Sequence, residues 1–522
     1  MMTIDCCKPG ERFVPYWRNC VGAGRAAEGL RAAFQEQLEL VQKHIGFRYL
    51  RFHGLFHDDM FVLRQDADGR LIFNFQYIDD LFDRMLDKNI RPFVEFGFFP
   101  DCLKGGDATQ CWWKAHVTPP AEWSGWCELI DRVVRHWIDR YGREEVRQWY
   151  FEVWNEPNLD GFWDGTRSQY FDLYKHTVRT VKSIDPELRV GGPATSNFVP
   201  DERFDGEKED MTCHLTHHTE DLDGLKWHGV WIETFLDYCH QQNLPVDFVS
   251  THPYPTDFAL DPTGRVKGRS RGVDALCKDM SWLKKVVGNS HYPDAEIHLT
   301  EWSSSPSSRD CTHDYLQEAA FIVKTNLDCI GLADSLSYWT FTDVFEELGA
   351  GESIFHGGFG LVNYQGIVKP GWHAYRMLAA LGDECLFRDE NLFLTKGQNG
   401  VRAVGWNYPI SGTVSMSLWP DCSKAQAELE KGEARRICFR LTGLRPNQRF
   451  SLECLSQKHG WALDAWRKMG CPEPPDRAQT KELIQASLAT EFRTFRADDQ
   501  GVLTFDEMID PWNVWLLKEE GD

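Results

Sequence analysis

The chain has no run of 18 or more apolar residues, so no segment reads as a membrane-spanning helix. It has no surplus of positive charge. Its 57 Lys and Arg stand against 79 Asp and Glu, a formal net charge of −22. That argues against nucleic acid or an anionic membrane as partner, since both are bound through basic patches. Its 16 cysteines contain no C-x-x-C pair, and only Cys6 and Cys7 are adjacent. Cys127, Cys239, Cys277, Cys329 and Cys438 lie singly on expected helices and strands. Free thiols of a reducing compartment are therefore expected, not a disulfide framework or a structural zinc site. The start of the chain, Met1 to Glu11, lacks a basic-then-apolar leader, so a cytoplasmic location is expected. His214, His217 and His218 form the best metal candidate, but in an Asp- and Glu-rich loop; no metal and no cofactor are expected. No internal repeat or low-complexity linker divides the chain.

What is present points to a large globular protein. The hydrophobic share, 42%, is ordinary for a chain that buries a core. The 522 residues exceed one typical domain, leaving room for a barrel of about 250–350 residues plus smaller units. Aromatics make up 13%, with 21 Trp. Part of that is core packing, and part can supply flat apolar faces for sugar rings.

From about Asn19, short apolar runs alternate with amphipathic stretches. Expected strands are Cys20–Gly24, Tyr49–Gly54, Pro92–Phe98, Tyr150–Glu156, Arg189–Ala194, Phe248–Tyr254, Glu296–Trp302 and Ser335–Phe341. Between them, Leu30, Phe34, Leu38, Val41 and Ile45 repeat at helical spacing, and later stretches behave alike. Eight strands alternating with eight helices predict a (β/α)8 TIM barrel over 15–345. A doubly wound sheet is the rival. Gly22-Ala23-Gly24 gives it only a lone G-x-G, with no acidic ribose partner following. After about Asp383 the helical alternation stops. Leu392–Leu394, Val401–Trp406, Thr413–Leu418, Ile437–Leu441, Arg449–Cys454 and Val514–Leu517 read as strands of a β-sandwich. The accessory domain is expected to span 1–14 plus 346–522, with a helical insertion near 460–490 and an edge strand from the N-terminal tail. The long charged stretch from Asn197 to about Trp227 reads as a mobile insertion or a lid.

In a barrel, function sits at the carboxyl ends of the strands. There the sequence places His53, Asn155, Glu156, His252, Tyr254, Glu301 and Trp339. Glu156 and Glu301 close the fourth and seventh strands. Two carboxylates facing one cleft suit glycoside hydrolysis, which needs a proton for the leaving oxygen and a carboxylate that attacks carbon or activates water. Asn155 can reach the sugar 2-OH, Glu156 is the expected acid/base, and Glu301 the expected nucleophile with His252 and Tyr254 as donors. The gap between the carboxylates decides retention or inversion, and the sequence leaves it open.

These segments resemble glycoside hydrolase family 39, whose best-known members are β-xylosidases. The resemblance covers nearly the whole chain. It rests on Arg51-Phe52-His53-Gly54-Leu55, Arg91-Pro92-Phe93-Val94-Glu95, Trp154-Asn155-Glu156-Pro157-Asn158-Leu159, Ser337-Tyr338-Trp339-Thr340-Phe341 and His356-Gly357-Gly358-Phe359-Gly360. It implies Glu156 as acid/base and Glu301 as nucleophile. It also implies sugar contacts from His53, Asn155, His252, Tyr254 and Trp339, and from one member of the pair Glu346 and Glu347. Pro253 within the sixth-strand motif and Trp302 after the nucleophile depart from the family pattern. The activity implied is a retaining, exo-acting β-xylosidase on short xylooligosaccharides. Other glycones (α-L-iduronide, β-glucoside, α-L-arabinoside) and a non-catalytic sugar-binding barrel are the alternatives. Homo-oligomerisation stays open.

Overall fold

The computed structural model describes residues 1–215, 219, 221–261, 263, 265–409 and 421–521. The chain divides into two compact units. One comprises Asn19–Trp302 and Leu332–Ala350; the other comprises Met1–Arg18, Ser303–Gly331 and Gly351–Asp522.

The first of these holds a closed barrel of eight strands. They are β1 (Cys20–Arg25), β2 (Tyr49–His53), β3 (Arg91–Phe96), β4 (Tyr150–Val153), β5 (Arg189–Ser196), β6 (Phe248–His252), β7 (Glu296–Trp302) and β8 (Ser335–Tyr338). Each pairs in parallel with its neighbours in chain order, and β8 closes on β1 through Tyr338 and Val21. Helices α1 (Ala32–His44), α2 (Gln76–Asp87), α3 (Trp123–Tyr141), α4 (Arg167–Ile184), α5 (Ile232–Gln241) and α6 (Ala275–Asn289) connect the first seven strands. Their buried faces follow the apolar spacing; in α1 the buried residues include Phe34, Leu38 and Val41. The helices that follow β7 and β8 in sequence, Leu316–Asp328 and Pro370–Ala379, are counted with the other unit and pack on each other.

The strand period of two sorts the barrel interior into layers. Tyr49, Phe93, Tyr150, Phe248 and His298 form an aromatic floor, with ring centroids about 5 Å apart, such as 4.8 Å for Phe93–Tyr150 and 4.7 Å for Tyr150–His298. Two residues further along the same strands come Arg51, Glu95, Glu152, Ser250 and Thr300, all buried. One step further on β2 and β6 come His53 and His252. An ionic layer thus lies on an aromatic one, directly beneath the strand ends.

Irregularities cluster at those ends. Register shifts occur in β1 between Gly22 and Arg25, in β5 between Pro193 and Thr195, and in β7 between Leu299 and Trp302. The last of these lets the consecutive residues Thr300 and Glu301 both reach the interior, a common use of a bulge. The loop after β5 carries little regular structure: Phe198–Val199 pairs with His228–Gly229, and Met211–Cys213 forms one short turn. A hairpin, Thr256–Leu260 with Val266–Ser270, follows β6 and was not expected.

The other unit is a sandwich which, among the described residues, has a seven-stranded and a three-stranded sheet over one core that includes Leu394, Phe439, Phe450, Phe505 and Trp515. The N-terminal tail supplies edges to both sheets. Met2–Asp5 pairs in parallel with Arg435–Thr442, and Glu11–Arg12 pairs with Glu384–Arg388. Helices Ala462–Lys468 and Arg477–Leu488 are the insertion. The expected strand Thr413–Leu418 lies outside the described residues. Glu384–Arg388, Glu491–Arg496 and Leu503–Ile509 are strands that the sequence reading missed. The latter two mix charged and hydroxyl residues among the apolar ones and expose Phe492 and Met508, which blurs the apolar alternation. The cysteine expectation also needs correction. Cys311 and Cys422 form a disulfide, with Cα atoms 5.2 Å apart across 111 residues of sequence, and the other fourteen are free. Sequence spacing could not reveal that adjacency, because the fold alone brings the two segments together.

Candidate active site

Glu156 owes its position to its backbone. β4 ends at Val153, earlier than expected, because Trp154 and Glu156 both take left-handed backbone angles, φ 72° and 46°. Such angles are uncommon away from glycine and persist only where the surroundings fix them. A following proline biases a residue toward extended geometry, yet Glu156, just before Pro157, is held in the left-handed region. Here the Glu156 N–H donates to the Ala194 carbonyl (2.9 Å). The Asn158 side chain grips the Ser196 backbone through both its amide groups, at 2.8 and 3.0 Å. These bonds tie the Asn-Glu-Pro-Asn turn to the end of β5 and swing the carboxylate inward, where it is 7% exposed.

Glu301 is fixed by donors. Arg51 Nη1 donates to its Oε1 at 2.5 Å, and the Tyr254 hydroxyl donates to its Oε2 at 3.1 Å. His53 Nε2 lies 3.4 Å from Oε1. One carboxylate oxygen each of Glu156 and Glu301, with a ring nitrogen of His252, all lie within 4.8 Å of one another. They are also the one close trio of potential metal ligands among the described residues.

Arg51 is the hub that the sequence reading did not single out. Besides Glu301, it donates from Nε to Glu152 (2.8 Å) and from Nη2 to Asn155 Oδ1 (2.8 Å), and it lies 3.0 Å from Glu95. Glu95 also bonds His53 Nδ1 at 2.6 Å. Burial alone would lower the pKa of His53, but the charge of Glu95 and its hydrogen bond outweigh burial and raise it. Thr300 was missed as well. Its hydroxyl bridges His252 Nε2 (3.0 Å) and Glu152 Oε1 (2.7 Å). A usable signal existed: Arg51 and Glu152 are charged residues inside otherwise apolar strands, in register with the inward positions.

His252 does not sit as expected. It was assigned as a donor to Glu301, yet its Nδ1 lies 3.0 Å from Glu156 and 3.8 Å from Glu301. Burial pushes its pKa down to about 4, so the ring is neutral. Burial is also the main influence on Glu156, whose pKa rises to about 6 against the opposing hydrogen bond of Ser196.

The Trp339 and His53 rings pack at a tilt with centroids 4.8 Å apart, and the Arg51 guanidinium lies 5.8 Å from the indole. This explains the G-x-G of β1. A Cβ on Gly22 would lie 2.5 Å from the Trp339 ring, and one on Gly24 would lie 2.1 Å from the Glu28 carboxylate. The glycines make room for an indole and a carboxylate, not for a phosphate. Of the acidic pair after β8, Glu346 is taken by Arg31 through two bonds, at 2.5 and 2.9 Å. Glu347 lines a small pocket with His53, Arg25, Trp113, Phe162 and Phe345. Of the candidate metal cluster, His214 bonds the Phe258 carbonyl and Glu209, while His217 and His218 lie outside the described residues.

The arrangement offers one buried carboxyl with a raised pKa, one carboxylate held by two donors, and an aromatic wall. It is equipped for acid–base and nucleophilic chemistry at a single carbon. A family model for glycosyl hydrolases family 39 matches residues 1–500. A beta-xylosidase of Geobacillus stearothermophilus is 36% identical over 522 residues, spanning 98% of this chain and 94% of that protein. Among solved structures, the GH39 enzyme from Xanthomonas axonopodis pv. citri superposes with a TM-score of 0.85 at 33% identity, covering 100% of this chain and 97% of that one. A monomeric beta-xylosidase from Caulobacter crescentus CB15 gives 0.84 at 32% identity and covers 100% of both chains. Among the described residues, no helix is long and apolar enough to cross a membrane.

Proposed function

The chain belongs to glycosyl hydrolases family 39, and from that premise we propose that it is a retaining, exo-acting β-xylosidase, releasing xylose from the non-reducing end of β-1,4-xylooligosaccharides. The observation that carries this reading is the convergence of Glu156 and Glu301, with carboxylate oxygens within 4.8 Å of one another. Such closeness suits a nucleophile and an acid/base acting on one carbon, whereas inverting enzymes space their carboxyls about 6.5–9.5 Å apart to fit a water beside the sugar.

In the first step Glu301 attacks the anomeric carbon while Glu156 gives its proton to the departing glycosidic oxygen. A covalent glycosyl–enzyme ester and a shortened sugar result. In the second, Glu156 takes a proton from water, and the hydroxide so formed displaces Glu301. Two inversions give net retention. Arg51 and Tyr254 keep Glu301 in line. The Asn155 amide nitrogen, buried and without a hydrogen-bond partner among the described residues, is a donor suited to the sugar 2-OH. Trp339 supplies an apolar face for the ring. An iduronide would need a cation for its ring carboxylate, and Arg25, the cation in the pocket lined by His53 and Glu347, is paired with Asp59 and Glu28.

Hydrolysis of an aryl β-xyloside followed by proton NMR tests the reading. β-Xylose should appear first, with the α anomer growing in by mutarotation. The α anomer first would overturn retention, and turnover of other aryl glycosides but not the xyloside would overturn the glycone.

The pKa of Glu156 sets the pH dependence. Glycosylation needs this group protonated, and burial lifts its pKa to about 6. For a substrate with a poor leaving group, kcat/KM should therefore fall above pH 6, approaching tenfold per pH unit. A descending limb near the ordinary glutamic acid value, about 4.3, would contradict the assignment of Glu156 as the acid.

A further inference from the structure

Glu152, Thr300 and His252 form a chain of hydrogen bonds that ends on Glu156, and each link fixes the direction of the next. Glu152 accepts from Arg51 Nε and, paired with that guanidinium, acts only as an acceptor. The single hydroxyl proton of Thr300 therefore points to Glu152 Oε1, 2.7 Å away. Having spent that proton, Thr300 Oγ1 can only accept from His252 Nε2, at 3.0 Å. A neutral imidazole carries one N–H, so with Nε2 as the donor, Nδ1 is a bare lone pair. That lone pair faces Glu156 Oε1 at 3.0 Å. The contact is a hydrogen bond only if Glu156 brings the proton.

We propose that Thr300 and Glu152 lock His252 in its Nε2–H tautomer, so that His252 accepts the proton of Glu156 and holds the general acid in its protonated form. This deepens the glycosidase reading and rests on Glu156 being the acid. Thr300 and His252 act here as positioning residues. After the proton has gone to the leaving oxygen, the same lone pair faces a carboxylate, which makes Glu156 a stronger base toward the water of the second step. One fixed tautomer thus serves both halves of the cycle.

Other groups face this pair and must be weighed with it. From β2, Arg51 and His53 favour the ionised form of Glu156, whereas Glu95 from β3 opposes it. Glu301, 3.8 Å from His252 Nδ1, and Glu152 favour a charged imidazole; Arg51 and His53 oppose it, and burial prevails over all of them. The Tyr254 hydroxyl is committed to Glu301. None of these supplies a second acceptor for the Thr300 proton, so the direction of the chain stands.

The test is Thr300→Val, which keeps the shape and removes the hydroxyl, beside Thr300→Ser, which keeps the hydroxyl. Without the lock His252 can place its proton on Nδ1 and donate to the Glu156 carboxylate. The descending limb of kcat/KM for a poor leaving group should then move down by about one pH unit in Thr300→Val, and Thr300→Ser should restore it. In 15N-histidine-labelled protein, the resonance lost in a His252→Gln variant should report a bare Nδ1 in the native chain and a bare Nε2 in Thr300→Val. An Nδ1-protonated His252 in the native chain, or a limb that stays put in Thr300→Val, overturns the lock. The tautomer is read without turnover, so a failed lock leaves the glycosidase reading intact. A native protein inert toward every aryl glycoside sinks that reading whatever the tautomer.

Discussion

Replacing Glu301 by alanine should reduce turnover of an aryl β-xyloside by roughly 10^4–10^6-fold, the scale on which loss of a covalent nucleophile is felt. The size follows from the geometry. Arg51 and Tyr254 hold one carboxylate in one orientation, and no other described carboxylate is placed to replace it against the anomeric carbon, because Glu95 and Glu152 lie one layer deeper. Azide offers a sharper readout than rate alone. In Glu301→Ala a small anion can enter the vacated space and attack in a single displacement, giving the α-glycosyl azide. In Glu156→Ala the nucleophile remains, so azide should intercept the covalent intermediate and give the β product. Glu156→Ala should also lose far more activity on an alkyl or unactivated aryl xyloside than on a dinitrophenyl one, whose leaving group needs no proton. Azide products of the opposite stereochemistry in the two variants would exchange the roles assigned here. A Glu301→Ala variant within tenfold of the native rate would remove it from the chemistry.

The second large effect concerns stability. Arg51 is fully buried and is the positive centre for Glu95 and Glu152 in its own layer and for Glu301 above them. Arg51→Met keeps much of the side-chain volume but leaves buried carboxylates without a counter-charge. Removing one partner of a buried ionic group costs about 3–5 kcal/mol, because desolvation of the remaining charges is no longer offset. For a chain of this size that is a fall of roughly 3–5 °C in the unfolding temperature, measurable by calorimetry. Adding Glu152→Gln to Arg51→Met should recover part of the loss, since an amide is far easier to bury than a carboxylate. A single Arg51→Met variant as stable as the native chain would mean that these carboxylates are neutral, and the ionic layer described here would not exist.

Much of this was legible beforehand, for identifiable reasons. The eight barrel strands announce themselves because each is an apolar run between amphipathic helices. Glu296–Trp302 was delimited correctly because its flanks, Asp294 and Ser303, are polar. Glu156 and Glu301 stood out because each closes such a run. Arg51, Glu152 and Thr300 did not, since a charged or hydroxyl residue inside a strand carries no sign of what it will meet across a barrel. His252 was found, but its partner was not: whether it faces Glu156 or Glu301 turns on less than an ångström, 3.0 against 3.8 Å. Cys311 and Cys422 were read as free for the same reason, as a pairing over 111 residues is a property of the fold.

The sequence by itself determined which residue types stand at the ends of which strands, because side-chain alternation and helix periodicity are local consequences of backbone geometry. The three-dimensional fold alone decided what those residues do to one another: the left-handed turn that swings Glu156 inward, the bulge that aims both Thr300 and Glu301 at the interior, and the guanidinium shared among three carboxylates. Each depends on distances between segments remote in the chain. Over those few ångströms hydrogen bonding and desolvation change by several kcal/mol, and no local pattern records them.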